Sequence, residues 1–159
     1  DQYSAKLGQA YFSAGRDEYA LKWAENAALR PGKYVPQAHW TSGLANLRLG
    51  HKKTAADHFA KAAELSRDNV WFHAASAFWA ARGYLVTRQP EKVNGYLQIA
   101  SKNGLTFYGL LARRVLGQDL GLNWAMPALD KNCLFYKSPS PRDRTTSRIP
   151  CSSCNKELY

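Results

Sequence analysis

A helical-hairpin unit recurs along this chain, and the repeat constrains the fold more than any other feature of the sequence. At an offset of 35 residues, three positions of the first copy are matched by identical residues of the second: Gly15 by Gly50, Ala20 by Ala55 and Ala27 by Ala62. A third copy follows at an offset of 38, where Phe59 falls on Leu97 and Ala62 on Ala100. The segment LLARRVLG repeats the pre-turn helix and places Gly117 on Gly50. A period of about 34–40 residues with one hairpin per copy is typical of an α-solenoid.

The composition of residues 1–129 favours helix nearly throughout. Alanine is abundant, β-branched residues are few, and apolar positions recur every three or four residues. One hairpin cannot bury its apolar stripe alone, so successive hairpins are expected to stack. Large aromatic residues should fill the core or the seams between helices: Trp23, Trp40, Trp71 and Trp79. We therefore predict an all-α fold for residues 1–132, an α-solenoid of stacked helical hairpins (a tetratricopeptide-like superhelix) that is a fragment of a larger domain.

From Asn132 onward the character of the sequence changes. Helix formers become sparse, and the polar segment SPSPRDRTTS contains two prolines. Residues 133–159 are therefore predicted to form an irregular or disordered tail. The segment CLFYKSPSPRD also resembles CLLYTSPSPRD, the translation of a transposon-tagging sequencing adapter, and differs only at Phe135 and Lys137. We hypothesise that the tail is adapter read-through on a truncated gene fragment, so that Cys151 and Cys154 are neither a redox pair nor zinc ligands. Finding the tail in the same reading frame of clean genomic DNA would refute this.

The chain is strongly basic. Its formal net charge is +10, of which residues 1–132 contribute +7 from 17 basic and 10 acidic side chains. Such a surface favours anionic partners: nucleic acid, acidic lipids or an acidic polymer such as peptidoglycan. No nucleic-acid partner is predicted, because no helix carries a dense stripe of Arg and Lys with a recognised docking motif. No run of about 18 apolar residues is present, so no transmembrane segment is expected.

Residues that could carry catalysis are few and scattered. The four histidines do not pair at i and i+4 around a Glu, so the helical zinc-protease pattern is missing. There is no glycine-rich phosphate loop or nucleophile elbow, and nothing indicates a cleft with two carboxylates for glycosidic chemistry. We therefore predict no catalytic residue, no metal site and no cofactor. His58 is interpreted as a surface or seam histidine rather than a ligand.

Binding residues are easier to propose, because a solenoid presents a long concave face on which basic and aromatic side chains could hold an extended anionic ligand. The segment TFYGLLARR is the densest cluster of such residues. The predicted substrate-binding residues are Arg82, Tyr108, Arg113 and Arg114, with Lys52 and Lys53 as further candidates at a turn. The alternative is that each of them is an ordinary solvated surface residue.

Three sequence blocks in this order and spacing resemble the N-terminal helical region of soluble lytic murein transglycosylases: GLANLRLG, SAFWAAR (Ser76–Arg82) and TFYGLLA (Thr106–Ala112). The resemblance covers about residues 3–130. It implies a periplasmic α-superhelical domain beside a lysozyme-like catalytic domain, in enzymes that cleave peptidoglycan without metal or cofactor. The catalytic Glu of that family lies in a Glu-Ser motif of the C-terminal domain. No Glu of this chain is followed by Ser, so no catalytic role carries over.

The resemblance implies a role in holding cell-wall strands. We expect a non-catalytic scaffold region of a periplasmic lytic transglycosylase that helps to hold peptidoglycan glycan strands for a C-terminal catalytic domain missing from this chain. Other cell-wall proteins are possible further partners. The rival interpretation is a tetratricopeptide-like protein–protein interaction scaffold with no connection to cell-wall glycan.

Overall fold

The computed structural model describes residues 2–30 and 32–121, and this part of the chain consists of seven α-helices without a β-strand. The helices are α1 (Gln2–Ser13), α2 (Asp17–Ala28), α3 (Val35–Arg48), α4 (Lys52–Leu65), α5 (Val70–Val86), α6 (Pro90–Ser101) and α7 (Phe107–Val115). The predicted all-α fold is thereby confirmed. The predicted tail at residues 133–159, and with it the boundary at residue 132, lies outside the described residues. None of the described helices is both long enough and apolar enough to cross a bilayer.

Several helices begin at residues suited to a first turn. Pro36 and Pro90 lie in the first turns of α3 and α6, where the missing N–H of proline leaves no hydrogen bond unmade. The side chains of Asn69 and Thr106 each accept a hydrogen bond from the backbone N–H three residues further on, at 3.2 and 3.0 Å. Because Asn and Thr are favourable N-cap residues, α5 and α7 begin directly after them.

The odd-numbered helices α1, α3, α5 and α7 all end in the same type of turn. The residue at the C′ position of each has a positive φ: Gly15 (75°), Gly50 (86°), Arg88 (57°) and Gly117 (66°). After α3, the N–H of His51 donates to the carbonyl of Asn46 (2.8 Å) and the N–H of Gly50 to that of Leu47 (3.2 Å). These are the two hydrogen bonds of a Schellman motif, and the other three turns repeat them. The aligned glycines therefore mark equivalent turns, and Arg88 occupies the remaining one.

Helix packing is sequential. Each helix packs against the next one along the chain, and in addition α1 packs against α3 and α5 against α7. A ring contact between Trp40 and Phe72, with centroids 5.4 Å apart, joins α3 to α5. The odd-numbered helices are therefore in contact with one another from α1 to α7. Contacts between elements that are close in sequence are typical of helical repeats.

Glycines allow the paired helices to approach closely. A Cβ added at Gly8 of α1 would lie 3.1 Å from the Cβ of Ala24 in α2, and one at Gly43 of α3 would lie 2.7 Å from the ring of Phe59 in α4. Gly8 precedes Gly43 by 35 residues, and Ala24 precedes Phe59 by the same number. The first two hairpins therefore cross at equivalent positions.

Alanine fills much of the core, at the positions that the repeat predicts. The aligned alanines are all 3% exposed or less: Ala20, Ala27, Ala55, Ala62 and Ala100. Trp40 and Trp79 pack against a central cluster that contains Phe59, as expected of seam residues. Trp71 differs, because it lies in the exposed first turn of α5 and is itself 62% exposed. The prediction that Trp71 is a core or seam residue is wrong.

Candidate functional site

A groove lies where α3, α4 and α5 meet. It encloses about 170 Å³ and is lined by residues of all three helices: Leu47, Lys52, Ala55, Phe59, Trp79, Arg82, Gly83 and Val86. We call it the Trp79 groove. Its lining combines apolar and aromatic surface with two cationic side chains and contains no carboxylate, imidazole, hydroxyl or thiol. This chemistry suits binding of an anionic group attached to an apolar one.

The floor of the groove depends on the crossing of α4 and α5. Because Gly83 carries no side chain, α5 approaches α4 closely, and a Cβ added at Gly83 would lie 2.6 Å from the Cβ of Ala56. Phe59 is 1% exposed, and its ring centroid lies 5.9 Å from that of Trp79. An aromatic pair of this kind contributes about 0.5–1.5 kcal/mol beyond its buried area. Trp79 is therefore held in place as one wall of the groove.

Arg82 lies over Trp79. Its Cζ is 4.6 Å from the centroid of the indole ring, a cation–π distance that is worth about 0.5–1 kcal/mol at an exposed site. The two residues are three apart on α5, so helical geometry brings them onto one face. The contact restrains the long side chain of Arg82, which lowers the entropy that it would lose on binding a ligand.

Neither cation of the groove has an acidic partner in the part of the chain that the structure describes. Within residues 2–30 and 32–121, no Asp or Glu oxygen lies within 4.0 Å of the side-chain nitrogens of Lys52 or Arg82. Arg48, by contrast, is paired with Asp17 at 3.1 Å and donates a hydrogen bond to the carbonyl of Phe12 (3.1 Å). Unpaired cations beside apolar surface attract anions, so the groove can accept a carboxylate.

Tyr108 is joined to the groove through Trp79. The indole Nε1–H of Trp79 donates a hydrogen bond to the Tyr108 hydroxyl (3.3 Å). The Tyr108 ring also contacts the rings of Phe78 and Phe107, at centroid distances of 5.5 and 5.2 Å. Two of the predicted binding residues, Arg82 and Tyr108, therefore contact the same indole ring. Trp79, which the sequence assigned to a seam, connects them.

Arg113 and Arg114 occupy different environments. The Nε of Arg113 donates to the carbonyl of Ser101 and its Nη1 to the carbonyl of Leu120, both at 3.1 Å. Its guanidinium also packs so closely on Gly104 that a Cβ there would overlap it. Arg113 thus links the end of α6 to the segment after α7. Arg114 is exposed in the last turn of α7 and does not line the groove. That either residue binds a ligand stays a prediction.

The described residues contain an unpredicted contact between two histidine side chains. No three His, Cys, Asp or Glu side chains of this part of the chain come together as a metal site would require. Two histidines do meet, however, because the Nδ1 atoms of His39 and His58 are 3.0 Å apart. Neither the positions of the four histidines in the sequence nor the interpretation of His58 as a surface or seam residue predicted this pair.

Comparisons of the chain with protein-family models, with curated proteins and with solved structures found no significant match. Its function is therefore argued from the groove and the helix packing.

Proposed function

We propose that this chain is a non-catalytic scaffold region of a periplasmic lytic transglycosylase, and that it helps to hold peptidoglycan strands for cleavage by a lysozyme-like domain. The observation that carries the proposal is the Trp79 groove, in which two unpaired cations, Lys52 and Arg82, border an aromatic and aliphatic floor. Peptidoglycan offers complementary chemistry, because the carboxylates of its stem peptides lie close to the apolar faces of its sugar rings.

We also infer that the hairpins form a tetratricopeptide-like solenoid. The sequential packing, the four equivalent Schellman turns and the repeated crossings at Gly8 and Gly43 support this arrangement. In a solenoid, equivalent helices of successive repeats line one extended surface. The contacts of Trp40 with Phe72 and of Trp79 with Tyr108 make such a surface rich in aromatic rings from α3 to α7.

An extended surface of this kind would bind a polymer through many weak contacts. One exposed ion pair contributes only about 0.2–1 kcal/mol, so neither Lys52 nor Arg82 alone can hold a glycan strand. When several contacts form with one polymer chain, their free energies add, because the later contacts do not pay the full entropic cost of a separate association. The expected behaviour is therefore avid but salt-sensitive binding to polymeric cell wall and weak binding to a single disaccharide peptide.

Co-sedimentation of the full chain with purified sacculi tests the proposal. The bound fraction should fall when NaCl is raised from about 0.01 M to about 1 M, because the Debye length then shortens from about 30 Å to about 3 Å. At low salt, Arg82→Gln should weaken binding about fivefold, which corresponds to the loss of about 1 kcal/mol from one charged contact. Lys52→Gln should have a similar effect.

Arg67→Gln is the matched control. Arg67 is exposed and lines a separate cleft between α4, α5 and α6, so this variant loses the same charge outside the groove. Its binding should stay within about twofold of the wild type if only screened long-range attraction is lost. Equal losses in the Arg67 and Arg82 variants would mean that net charge alone causes the binding. Absence of binding at low salt would refute the proposal.

The second candidate is a tetratricopeptide-like scaffold for protein partners. The observation that favours it is the apolar part of the groove, where Leu47, Phe59 and Val86 could receive a side chain of an acidic peptide. Binding that is unaffected when the glycan of the sacculi is digested, and that is competed by acidic peptides alone, would favour this candidate over glycan binding.

A further inference from the structure

The histidine pair lies inside the helix packing, and neither His39 nor His58 lines the Trp79 groove. His39 belongs to α3 and His58 to α4, and their ring centroids are 5.2 Å apart. His39 is 8% exposed, and 15% of the His58 side chain is exposed. The two Nδ1 atoms face each other at 3.0 Å, a hydrogen-bonding distance. Such a contact requires one Nδ1–H as donor and one bare Nδ1 as acceptor, so the gap between the rings has room for one proton.

Charged groups from two helices act on the pair. Oε1 of Glu25 in α2 lies 4.0 Å from Nε2 of His58, while Asp57 and Lys61 belong to α4 itself. Burial, together with smaller effects of the charges of His58 and Lys61, lowers the pKa of His39 from 6.5 to about 4. Burial also lowers the pKa of His58, an effect that Lys61 strengthens and Asp57 opposes.

We propose that the His39–His58 contact is an acid-released latch between α3 and α4. A first proton leaves the contact intact, because a charged His58 can donate its Nδ1–H to the bare Nδ1 of His39 and turn its Nε2–H toward Glu25. A second proton places two N–H groups and two positive charges opposite each other. The contact then has no acceptor, and the rings separate.

The lowered pKa values of His39 and His58 determine how the stability of the fold depends on pH. The unfolded chain binds protons at His39 and His58 near pH 6.5, and the folded chain binds them there only at lower pH. The contribution of the two histidines to the free energy of unfolding is therefore fully present above about pH 6.5 and is lost as the solution is acidified toward about pH 4. The α3–α4 hairpin also carries Leu47 and Lys52, so opening the latch loosens two walls of the Trp79 groove. The inference does not depend on what the groove binds.

Urea denaturation of the full chain between about pH 4 and about pH 8 tests the latch, with His39→Gln and His58→Gln as test variants and His51→Gln as the matched control. His51 is exposed, and its imidazole Nδ1 lies 3.3 Å from Oδ1 of Asn46, in its own turn. On acidification to about pH 4, the folding equilibrium constant of the wild type should fall about a hundredfold more than that of His39→Gln. His58→Gln should lose a smaller part of the pH dependence, because the burial that lowers the pKa of His39 remains. The control should follow the wild type, and the double variant should lose less pH dependence than the sum of the two single losses.

Nuclear magnetic resonance titration of the imidazole Cε1–H resonances supplies a second measurement that remains valid if a variant folds poorly. The proposal expects the His39 resonance of the wild type to titrate well below pH 6.5. Wild-type and test variants with parallel pH profiles, or a His39 resonance that titrates near pH 6.5, would overturn it. Addition of zinc provides a third arm: stabilisation by zinc that both test variants abolish would replace the latch by a two-histidine metal site.

Discussion

At the crossing of α4 and α5 beneath the Trp79 groove, a Gly→Ala substitution should destabilise the protein, although helix propensity alone predicts stabilisation. Replacing Gly83 by Ala puts a better helix former into α5, which by itself stabilises a helix by about 1 kcal/mol. The added Cβ, however, would lie 2.6 Å from the Cβ and 3.0 Å from the Cα of Ala56. Carbon atoms prefer separations of about 3.5–4.0 Å, so the two helices must move apart by about 1 Å.

Movement of that size is costly because the crossing lies in the core. Ala56 and Phe59 of α4 and Ala80 of α5 are each 1% exposed or less. Overpacking a core of this kind costs about 1–3 kcal/mol, which exceeds the propensity gain. We expect Gly83→Ala to lower the free energy of unfolding by about 1 kcal/mol and the melting temperature by about 4 °C.

The assay is urea denaturation followed by far-ultraviolet circular dichroism, with Gly95→Ala as the matched control. Gly95 is exposed within α6, and a Cβ added there meets nothing within 4 Å. The same substitution should therefore stabilise the protein by about 0.5–1 kcal/mol at this site. In the Gly83→Ala background, Ala56→Gly should cost less than it does alone, because it removes the overlapping methyl group. If the two Gly→Ala variants are stabilised equally, the reasoning about the crossing is refuted.

Three further changes test other parts of the structure. Arg88→Gly should raise the free energy of unfolding by about 1 kcal/mol, because Arg88 has a positive φ and Gly avoids the cost of that conformation. Gly50→Arg should lower the free energy of unfolding for the same reason. Unchanged urea midpoints in the two variants would contradict this expectation. Thr106→Val should cost about 1 kcal/mol by removing the cap of α7, whereas Thr106→Ser should cost little in the same assay. A double-mutant cycle of Trp79→Phe and Tyr108→Phe should show a coupling of about 0.5–1.5 kcal/mol, and zero coupling would show that their hydrogen bond contributes nothing.

The helical turns could largely be predicted from the sequence, because their determinants are local. Gly15, Gly50 and Gly117 recur at matching positions, and a helix end with positive φ favours glycine. Arg88 occupies the same kind of turn, but an arginine does not by itself indicate a positive φ. The alignment of Phe59 with Leu97 has an offset of 38 residues, and the same offset places Arg88 on Gly50. The repeat therefore indicates a turn at Arg88, although the residue type does not.

The candidate site was only partly predictable. Arg82 and Trp79 are three residues apart, so their contact follows once α5 is a helix. The contact of Trp79 with Tyr108 depends on how α5 packs against α7, which composition does not determine. The partners of Arg113 are the carbonyls of Ser101 and Leu120, and every residue offers a carbonyl. For that reason, nothing in the sequence separated this supporting arginine from a ligand-binding one.

The positions of His39 and His58 relative to the turn at Gly50 contain a signal for their contact. His39 lies 11 residues before Gly50 and His58 lies 8 residues after it. In an antiparallel hairpin that turns at Gly50, residues at comparable distances on either side of the turn lie near one another. Considering the hairpin together with the histidine positions would have predicted a contact between α3 and α4, although not its 3.0 Å separation.

The proposed binding of an anionic cell-wall polymer in the Trp79 groove can be followed through the indole N–H resonance of Trp79. Soluble glycan strands that carry stem peptides would be titrated into the ¹⁵N-labelled full chain at low salt. We expect a saturable shift of the Trp79 resonance, with an affinity that Arg82→Gln lowers about fivefold. The resonance of Trp71, which is exposed outside the groove, should not move. Saturable binding that leaves the Trp79 resonance in place, or no binding at all, would refute the proposal.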